Sequence, residues 1–158
     1  MIRAKFLSNI LLAFIWVALT GTFTLGNYTF GFVICFGIMW LISTERRKDQ
    51  YFTRIPRIVF FFFFFLYELV KANYYVAVDV ITYKNVRPGI IRVPLDAKTD
   101  LEITLLGNFI NLTPGTVIVD ISDDRKVFYI HTIRVNTREQ FIHEIKNGFE
   151  KRLLEILR

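Results

Sequence analysis

Very few ionisable side chains in this sequence are spaced so that they could act together. Glu68 and Lys71 lie three residues apart, so on a helix they would share one face and could form an ion pair. An acid beside an apolar segment is also a candidate for a proton or sodium path. Amphipathicity of the segment explains both residues without such a path. We favour that explanation and keep the path as the alternative.

Other candidate groups have weaker patterns. Asp120, Asp123 and Asp124 lack the twelve-residue ligand spacing and terminal glutamate of a calcium loop. His131 and His143 have no partner at metal-ligand spacing, and the lone Cys35 excludes a disulfide framework and a cysteine-based metal site. Neither a phosphate-binding glycine loop nor a nucleophile elbow is present. The sequence therefore predicts no catalytic residue, metal site or cofactor, and the chain is not expected to be an enzyme.

The elements that would position these residues begin with an apolar segment. No charged residue occurs from Phe6 to Thr44. A single helix of that length would be about 58 Å long at about 1.5 Å per residue, whereas the hydrocarbon core of a membrane is about 30 Å thick. The Gly, Thr and Asn residues of segment 21–27 offer a turn. We therefore predict two short transmembrane helices, near residues 6–20 and 28–43. A signal peptide over Met1–Gly21 is disfavoured because no clear cleavage site follows.

The basic residues flank these apolar helices. Residues 1–57 hold seven Lys or Arg against two acids, and segment 21–27 has no charge. The positive-inside bias therefore places the N-terminus and the 44–57 loop in the cytoplasm. Arg46, Arg47 and Lys48 are expected to hold anionic lipid headgroups. Because this charge flanks membrane helices and does not cover a soluble surface, we expect no nucleic-acid partner.

A third helix, over about residues 55–83, completes a predicted membrane domain of residues 1–83. It contains the aromatic run Phe60–Phe65. Its polar residues share one face of a helical wheel: Glu68, Lys71, Ala72, Tyr75, Asp79 and Thr82. A central charge in a lipid-facing span costs about 2.5–3.5 kcal/mol. We therefore favour an interfacial helix in the cytoplasmic leaflet, with this polar face among the headgroups, over a third span.

Residues 84–158 show the pattern of a small cytoplasmic α/β domain with the order β-α-β-β-α, which makes the whole chain an α+β membrane protein. Helix periodicity begins after Thr99 or Asp100 and is expected to stop at Thr113-Pro114-Gly115, where glycine permits a positive φ. Thr137 and Gln140 form a possible capping box for the last helix. The predicted strands are Ile90–Val93, Thr116–Ile121 and Val127–Ile133, the last two forming a hairpin.

The segment from Ile103 to Thr116, ITLLGNFINLTPGT, carries a specific resemblance together with residues 119–124 and 129–131. It resembles the E subunit of the Mrp-type (multiple resistance and pH) multisubunit cation/proton antiporters. The resemblance covers most of the chain and implies a bacterial plasma-membrane complex that exchanges cytoplasmic sodium for external protons. In that family the large subunits are assigned the ion path, and this small subunit serves assembly and stability.

The resemblance implies that the other antiporter subunits are partners of this chain. The centre of the signature is a possible docking surface, which comprises Asn108, Leu112, Thr113, Pro114, Gly115, Thr116 and Asp120. The alternative function is a membrane-tethered α/β ligand-binding or enzymatic module. That alternative requires a constellation of polar side chains in a pocket.

Overall fold

The computed structural model describes residues 2–43, 50–82, 86–135 and 137–158. It divides into two compact units, Met1–Pro56 and Arg57–Arg158. The predicted boundary, drawn after residue 83 from composition, differs from this division because the third helix packs into the second unit from Arg57 onward. Phe61 of that helix belongs to the second unit's hydrophobic core.

The described residues form six α-helices, three strands and one π-helical segment. In chain order they are α1 (Ile2–Thr20), α2 (Leu25–Ile42), α3 (Gln50–Thr82), β1 (Gly89–Pro94), α4 (Asp100–Asn111), β2 (Thr116–Ile121), β3 (Val127–Thr132), α5 (Arg138–Glu144), the π segment (Ile145–Glu150) and α6 (Lys151–Leu157). A mixed fold with two apolar N-terminal helices is confirmed.

All three N-terminal helices begin earlier than predicted. For α1 the prediction followed the uncharged stretch, but Arg3 and Lys5 are good helix formers and lie inside the helix. For α2 the side chain of Thr24 caps the helix by accepting from the Asn27 amide, so Gly26 and Asn27 form the first turn. For α3 the helix starts at Gln50 and contains Pro56, a residue more typical of a first turn.

Helices α1 and α2 form a hairpin whose facing residues are small. Ala13 and Cys35 are buried, and a Cβ added at Gly31 would lie 2.7 Å from Cδ1 of Trp16. Such small residues let the helix backbones approach closely. The indole Nε1 of Trp16 donates to Oδ1 of Asn27 at 3.1 Å, which ties α1 to the start of α2.

The sheet of the second unit is antiparallel and has the order β1-β3-β2. The hairpin of β2 and β3 has the predicted bounds within one residue, with a bulge between Ile118 and Asp120. Its buried residues share one hydrophobic core with residues of α4, the π segment and α6. The core members include Ile91, Val93, Leu106, Ile110, Phe128, Ile130, Phe149 and Leu153.

The aromatic run of α3 is divided between the α/β core and the open side of the helix. Phe61 is 7% exposed, and its ring meets that of Phe109 edge-on at 4.8 Å. Phe64 packs in the same way on Phe149, and Phe65 on Phe109. Phe60 and Phe63 are exposed. Helical periodicity divides the run, so that one side completes the α/β core and the other remains open.

The last predicted helix contains a π segment that the sequence pattern did not reveal. Its buried residues Ile145, Phe149 and Leu153 recur every four residues. In an α-helix of 3.6 residues per turn, such a repeat drifts steadily around the axis. The wider turns of a π segment offset this drift and keep the apolar stripe on the core. The guanidinium of Arg152 donates to the carbonyls of Asn147 and Gly148 within this segment.

Candidate functional site

The predicted site residues that the structure brings together line a groove between α3 and the α/β domain. Glu68 and Lys71 of α3 face Thr113, Thr116 and Glu144 across a cavity of about 330 Å³. The rest of the lining comes from α3, the turn after α4, the end of β3 and the start of α5. The groove is therefore the place where the aromatic helix and the family-signature turn meet.

The signature turn of residues 113–116 is held by its own threonines. Oγ1 of Thr113 donates to the carbonyl of Phe109 at 3.0 Å, and Oγ1 of Thr116 donates to the carbonyls of Ile110 and Thr113. These side-chain bonds supplement the backbone bonds from the amides of Thr113 and Thr116 at the end of α4, where helical donors run out. The hydroxyls thus fix where α4 stops and β2 begins.

Gly115 has the positive φ predicted for it, at 89°. A Cβ at this position would lie 3.2 Å from the side chain of Ile133 and 3.4 Å from that of Val76. Glycine therefore allows the turn to approach both β3 and α3 closely. The turn therefore has a structural role within this chain, because it packs closely against Val76 of α3.

Glu68 and Lys71 form the predicted pair. The Nζ of Lys71 lies 3.2 Å from both carboxylate oxygens of Glu68, and both side chains are partly buried. Desolvation lowers the pKa of Lys71, but the hydrogen bond and charge of Glu68, together with the charge of Glu144, raise it by more, so the net pKa lies above its ordinary value. Lys71 is thus held in its charged form.

The polar face of α3 lies against the α/β domain and not, as expected, among lipid headgroups. The carboxylate of Asp79 is 2% exposed and forms a bidentate pair with the guanidinium of Arg134. That guanidinium also lies 4.7 Å from the ring centroid of Tyr75. The sequence analysis placed Asp79 on the polar face but did not identify its partner, since no local pattern links two residues this far apart.

The remaining signature residues lie elsewhere. Asn108 and Asp120 line a separate depression between α4 and β2, and Leu112 is exposed. Asp120 follows the bulge of β2 and accepts a hydrogen bond from the amide of Ile121. The proposed docking surface is therefore divided into two sets, of which residues 113–116 line the groove together with α3. Arg46, Arg47 and Lys48 lie outside the described residues.

Two buried carboxylates have partners that the sequence analysis did not identify. Glu102 completes a capping box with Thr99, and Glu150 of the π segment accepts hydrogen bonds from the amides of Asp96 and Ala97. The guanidinium of Arg158 and the amides of Lys98 and Thr99 lower the pKa of Glu102 to about 2, against the opposing effect of burial. The spacing of Thr99 and Glu102 is a capping-box signal that could have been found.

In the part of the chain that the structure describes, no metal site is formed by His131, by His143 or by the aspartates of the hairpin loop. Asp124 accepts a hydrogen bond from the hydroxyl of Ser122, as expected of a polar turn. At the predicted capping box of the last helix, Thr137 accepts from the amide of Gln140, but the side chain of Gln140 donates to Glu144. Only half of that box is formed.

Comparison with known proteins agrees with this architecture. A sequence model of the family described as "Na+/H+ ion antiporter subunit" matches residues 9–156. The E1 subunit of the Na(+)/H(+) antiporter of Staphylococcus haemolyticus is 42% identical over 149 residues, which cover 94% of each chain. The E subunit of the Na(+)/H(+) antiporter of Alkalihalophilus pseudofirmus is 39% identical over 153 residues, covering 96% of this chain and 97% of the relative.

Two solved structures share the fold. A chain of the membrane-bound sulfane sulfur reductase, an archaeal respiratory membrane complex, has a TM-score of 0.54 at 27% identity and covers 92% of this chain and 93% of its own. A chain of the Mrp complex from Dietzia sp. has a TM-score of 0.50 at 22% identity and covers 65% of this chain and 96% of its own.

The fold therefore defines a membrane protein in which an apolar helical hairpin precedes a small α/β domain. Within that class the chain belongs to the family of Na+/H+ antiporter E subunits. The resemblance seen in the sequence is confirmed, and the chain is a subunit of a multisubunit antiporter.

Proposed function

We propose that this chain is a structural subunit, which supports assembly and stability of a multisubunit Na+/H+ antiporter and does not itself form the ion path. The observation that carries the proposal is the state of its polar groups. Glu68 is paired with Lys71, and Asp79 with Arg134, all within this chain. The pair of Asp79 and Arg134 joins α3 to the α/β domain, and the pair of Glu68 and Lys71 lies on one face of α3, so both acids have a structural role within this chain.

The membrane hairpin supports the same role. Helices α1 and α2 contain windows, Arg3–Thr20 and Leu25–Ile42, that are long and apolar enough to cross a membrane. No charged residue occurs between Phe6 and Thr44 to relay a proton. Leu11, Leu19 and Val33 are exposed, so these helices offer apolar side chains to lipid or to helices of other subunits.

The proposed topology has two spans, in a bacterial plasma membrane, with the N-terminus and the α/β domain in the cytoplasm. Arg3 and Lys5 precede the uncharged part of α1, and Arg54 and Arg57 follow α2, whereas the turn between the two helices is uncharged. This distribution follows the positive-inside bias. The proposed partners are the other antiporter subunits, at both the hairpin and the α/β domain.

Two preparations test the structural role. Proteoliposomes that hold only this chain are expected to show no sodium-dependent pH change. Deleting the chain from the antiporter is expected to lower the amount of assembled complex, because docking on a partner stabilises both components by mass action. Transport by the isolated chain would overturn the proposal.

The variant Glu68→Gln separates structure from transport at the most suspect residue. It keeps the side-chain shape and removes the charge, so a structural role predicts nearly normal complex levels and nearly normal exchange. Lys71→Gln is the matched control on the other member of the pair. A Glu68→Gln complex that assembles fully yet exchanges no sodium would place Glu68 in the transport path.

A further inference from the structure

The charged residues of α3 all lie on one half of the helix, and that half is turned toward the protein. From residue 57 to residue 82 they are Arg57, Glu68, Lys71 and Asp79. Arg57 donates to the carbonyl of Glu155 at 2.8 Å, and the other three form the ion pairs of the groove. The polar half of α3 is thus covered by the α/β domain.

The opposite half of α3 is apolar and open. Along it Val59, Phe63, Val70, Tyr74 and Ile81 are 47%, 62%, 69%, 65% and 79% exposed. At about 1.5 Å per residue, the stretch from Val59 to Ile81 is roughly 33 Å long. A helix on a water-soluble domain normally turns its apolar stripe inward. This helix does the reverse, and an open apolar face of this length requires a non-aqueous neighbour.

Two charged residues of the α/β domain lie directly beside α3. The guanidinium of Arg152 lies 4.1 Å from the ring centroid of Phe64, and Glu144 lines the groove. If α3 crossed the bilayer with this packing intact, these groups would enter hydrocarbon, where each would cost several kcal/mol. The packing therefore disfavours a third span.

The first residues of α3 pack on the membrane hairpin, which indicates that the non-aqueous neighbour of the helix is the membrane. Tyr51 and Phe52 are buried against the hairpin: Nδ2 of Asn9 donates to the Tyr51 hydroxyl at 2.9 Å, and Phe36 packs on both rings. Because α3 begins on the membrane helices, it begins at the membrane surface. Tyrosine is enriched at that depth, which suits Tyr74 on the open face.

We propose that α3 lies in the plane of the cytoplasmic leaflet, with its open face in the headgroup–acyl boundary and the α/β domain carried on its other face. This inference rests on the proposed two-span topology and adds the lipid contact of the third helix. An interfacial helix of this kind inserts about 5–10 Å deep. The antiporter subunit would then hold its domain against the membrane surface along the whole helix.

Depth measurements on the assembled antiporter in lipid vesicles test the proposal. Val59, Val70 and Ile81 are each replaced by a single cysteine in a Cys35→Ala background, and each cysteine is labelled with a fluorophore. Lipids brominated at a shallow or a deep acyl position then quench the fluorophores that lie at that depth. We expect all three to be quenched by the shallow lipid to within about twofold of one another, as for a helix parallel to the surface. Leu11→Cys on α1 provides the deep reference, and Asn147→Cys provides the water-exposed one.

Each other outcome overturns the proposal. Deep quenching at position 70 with shallow quenching at 59 and 81 would show a third span. Quenching of none of the three by lipid would show that a partner subunit or water covers the face, and an aqueous quencher distinguishes these cases. The depth pattern does not depend on exchange activity, so this test and the deletion test can fail separately.

Discussion

In the unit of residues 1–56, large apolar side chains such as Leu19 and Val33 point outward, and the buried contacts between α1 and α2 are made by small residues. In the unit of residues 57–158, Phe128 and Ile130 are fully buried, and the buried carboxylates Asp79, Glu102 and Glu150 all have partners. Most of the apolar surface of the helical hairpin is thus open, whereas the second unit buries a hydrophobic core of its own.

Helix α3 combines both patterns. On its protein side it behaves as part of a soluble domain, with aromatic contacts and a buried ion pair. On its open side it has the apolar surface of a membrane helix. About 70 residues of α/β structure form a marginal core by themselves. The aromatic helix therefore supplies core volume to the α/β domain.

The largest expected effect comes from Phe61→Ala, which tests whether α3 is part of the α/β core. Removing a buried phenylalanine side chain costs about 3–5 kcal/mol. We expect a loss of about 3 kcal/mol in the free energy of unfolding. The measurement is a denaturant titration in detergent, followed by circular dichroism. Phe63→Ala, on the open side of the same helix turn, is the matched control and should cost under about 1 kcal/mol. Equal losses would show that α3 is not docked on the domain.

The ion pair of Asp79 and Arg134 gives the second largest effect. Asp79→Ala leaves the guanidinium of Arg134, which is 22% exposed, without its carboxylate. We expect a loss of about 2–3 kcal/mol, and a double variant with Arg134→Ala that loses less than the sum, because breaking one member of a buried pair leaves an uncompensated charge. Lys126→Ala breaks an exposed pair and should cost under about 0.5 kcal/mol. Additive losses in the Asp79 cycle would mean that the pair does not clamp α3.

Local features of this fold were predictable from the sequence. The β2–β3 hairpin follows from alternation and a polar loop, and the positive φ of Gly115 follows from its place after a proline at a helix end. The pair of Glu68 and Lys71 follows from helical spacing. Each of these depends only on neighbours within a few residues.

Long-range features were not predictable in the same way. The contact of Asp79 with Arg134 joins residues 55 positions apart, and β1 pairs with β3 rather than with its nearer neighbour in sequence. The prediction that the polar face of α3 lies among lipid headgroups was wrong for this reason. Amphipathicity identifies the polar and the apolar face of a helix, but it does not identify what packs against each face. The π segment was missed because a four-residue repeat fits an α-helix over short lengths.

A smaller, pH-dependent effect is expected at Glu102, within the self-contained unit. Its pKa of about 2 in the folded protein lies below the ordinary value of 4.5, so its contribution to stability is present above pH 4.5 and is lost as the pH falls toward 2. Glu102→Gln keeps the capping hydrogen bond but removes the charge that faces Arg158. Wild type should therefore be more stable than the variant at pH 6, with the difference disappearing near pH 2 in thermal unfolding. A pH-independent difference would exclude the charge as its cause.

The smallest effect is expected from the one fully buried polar side chain described in the hairpin, and it sharpens the contrast between the two units. Asn9 has a single hydrogen bond, from Nδ2 to the Tyr51 hydroxyl, and its Oδ1 accepts none. Side-chain hydrogen bonds between membrane helices contribute about 0.6 kcal/mol on average, and here the unpaired acceptor offsets part of that. Asn9→Leu keeps a similar volume, so it should change the free energy of unfolding by less than about 1 kcal/mol. Tyr51→Phe, which removes the hydroxyl and keeps the ring against Phe36, is the matched control. The measurement is unfolding of the hairpin in lipid vesicles, followed by the fluorescence of its two tryptophans, Trp16 and Trp40. A loss from Asn9→Leu as large as that from Phe61→Ala would mean that a polar contact holds the hairpin together. In that case the hairpin would have an interior of its own, and the contrast between the two units would no longer hold.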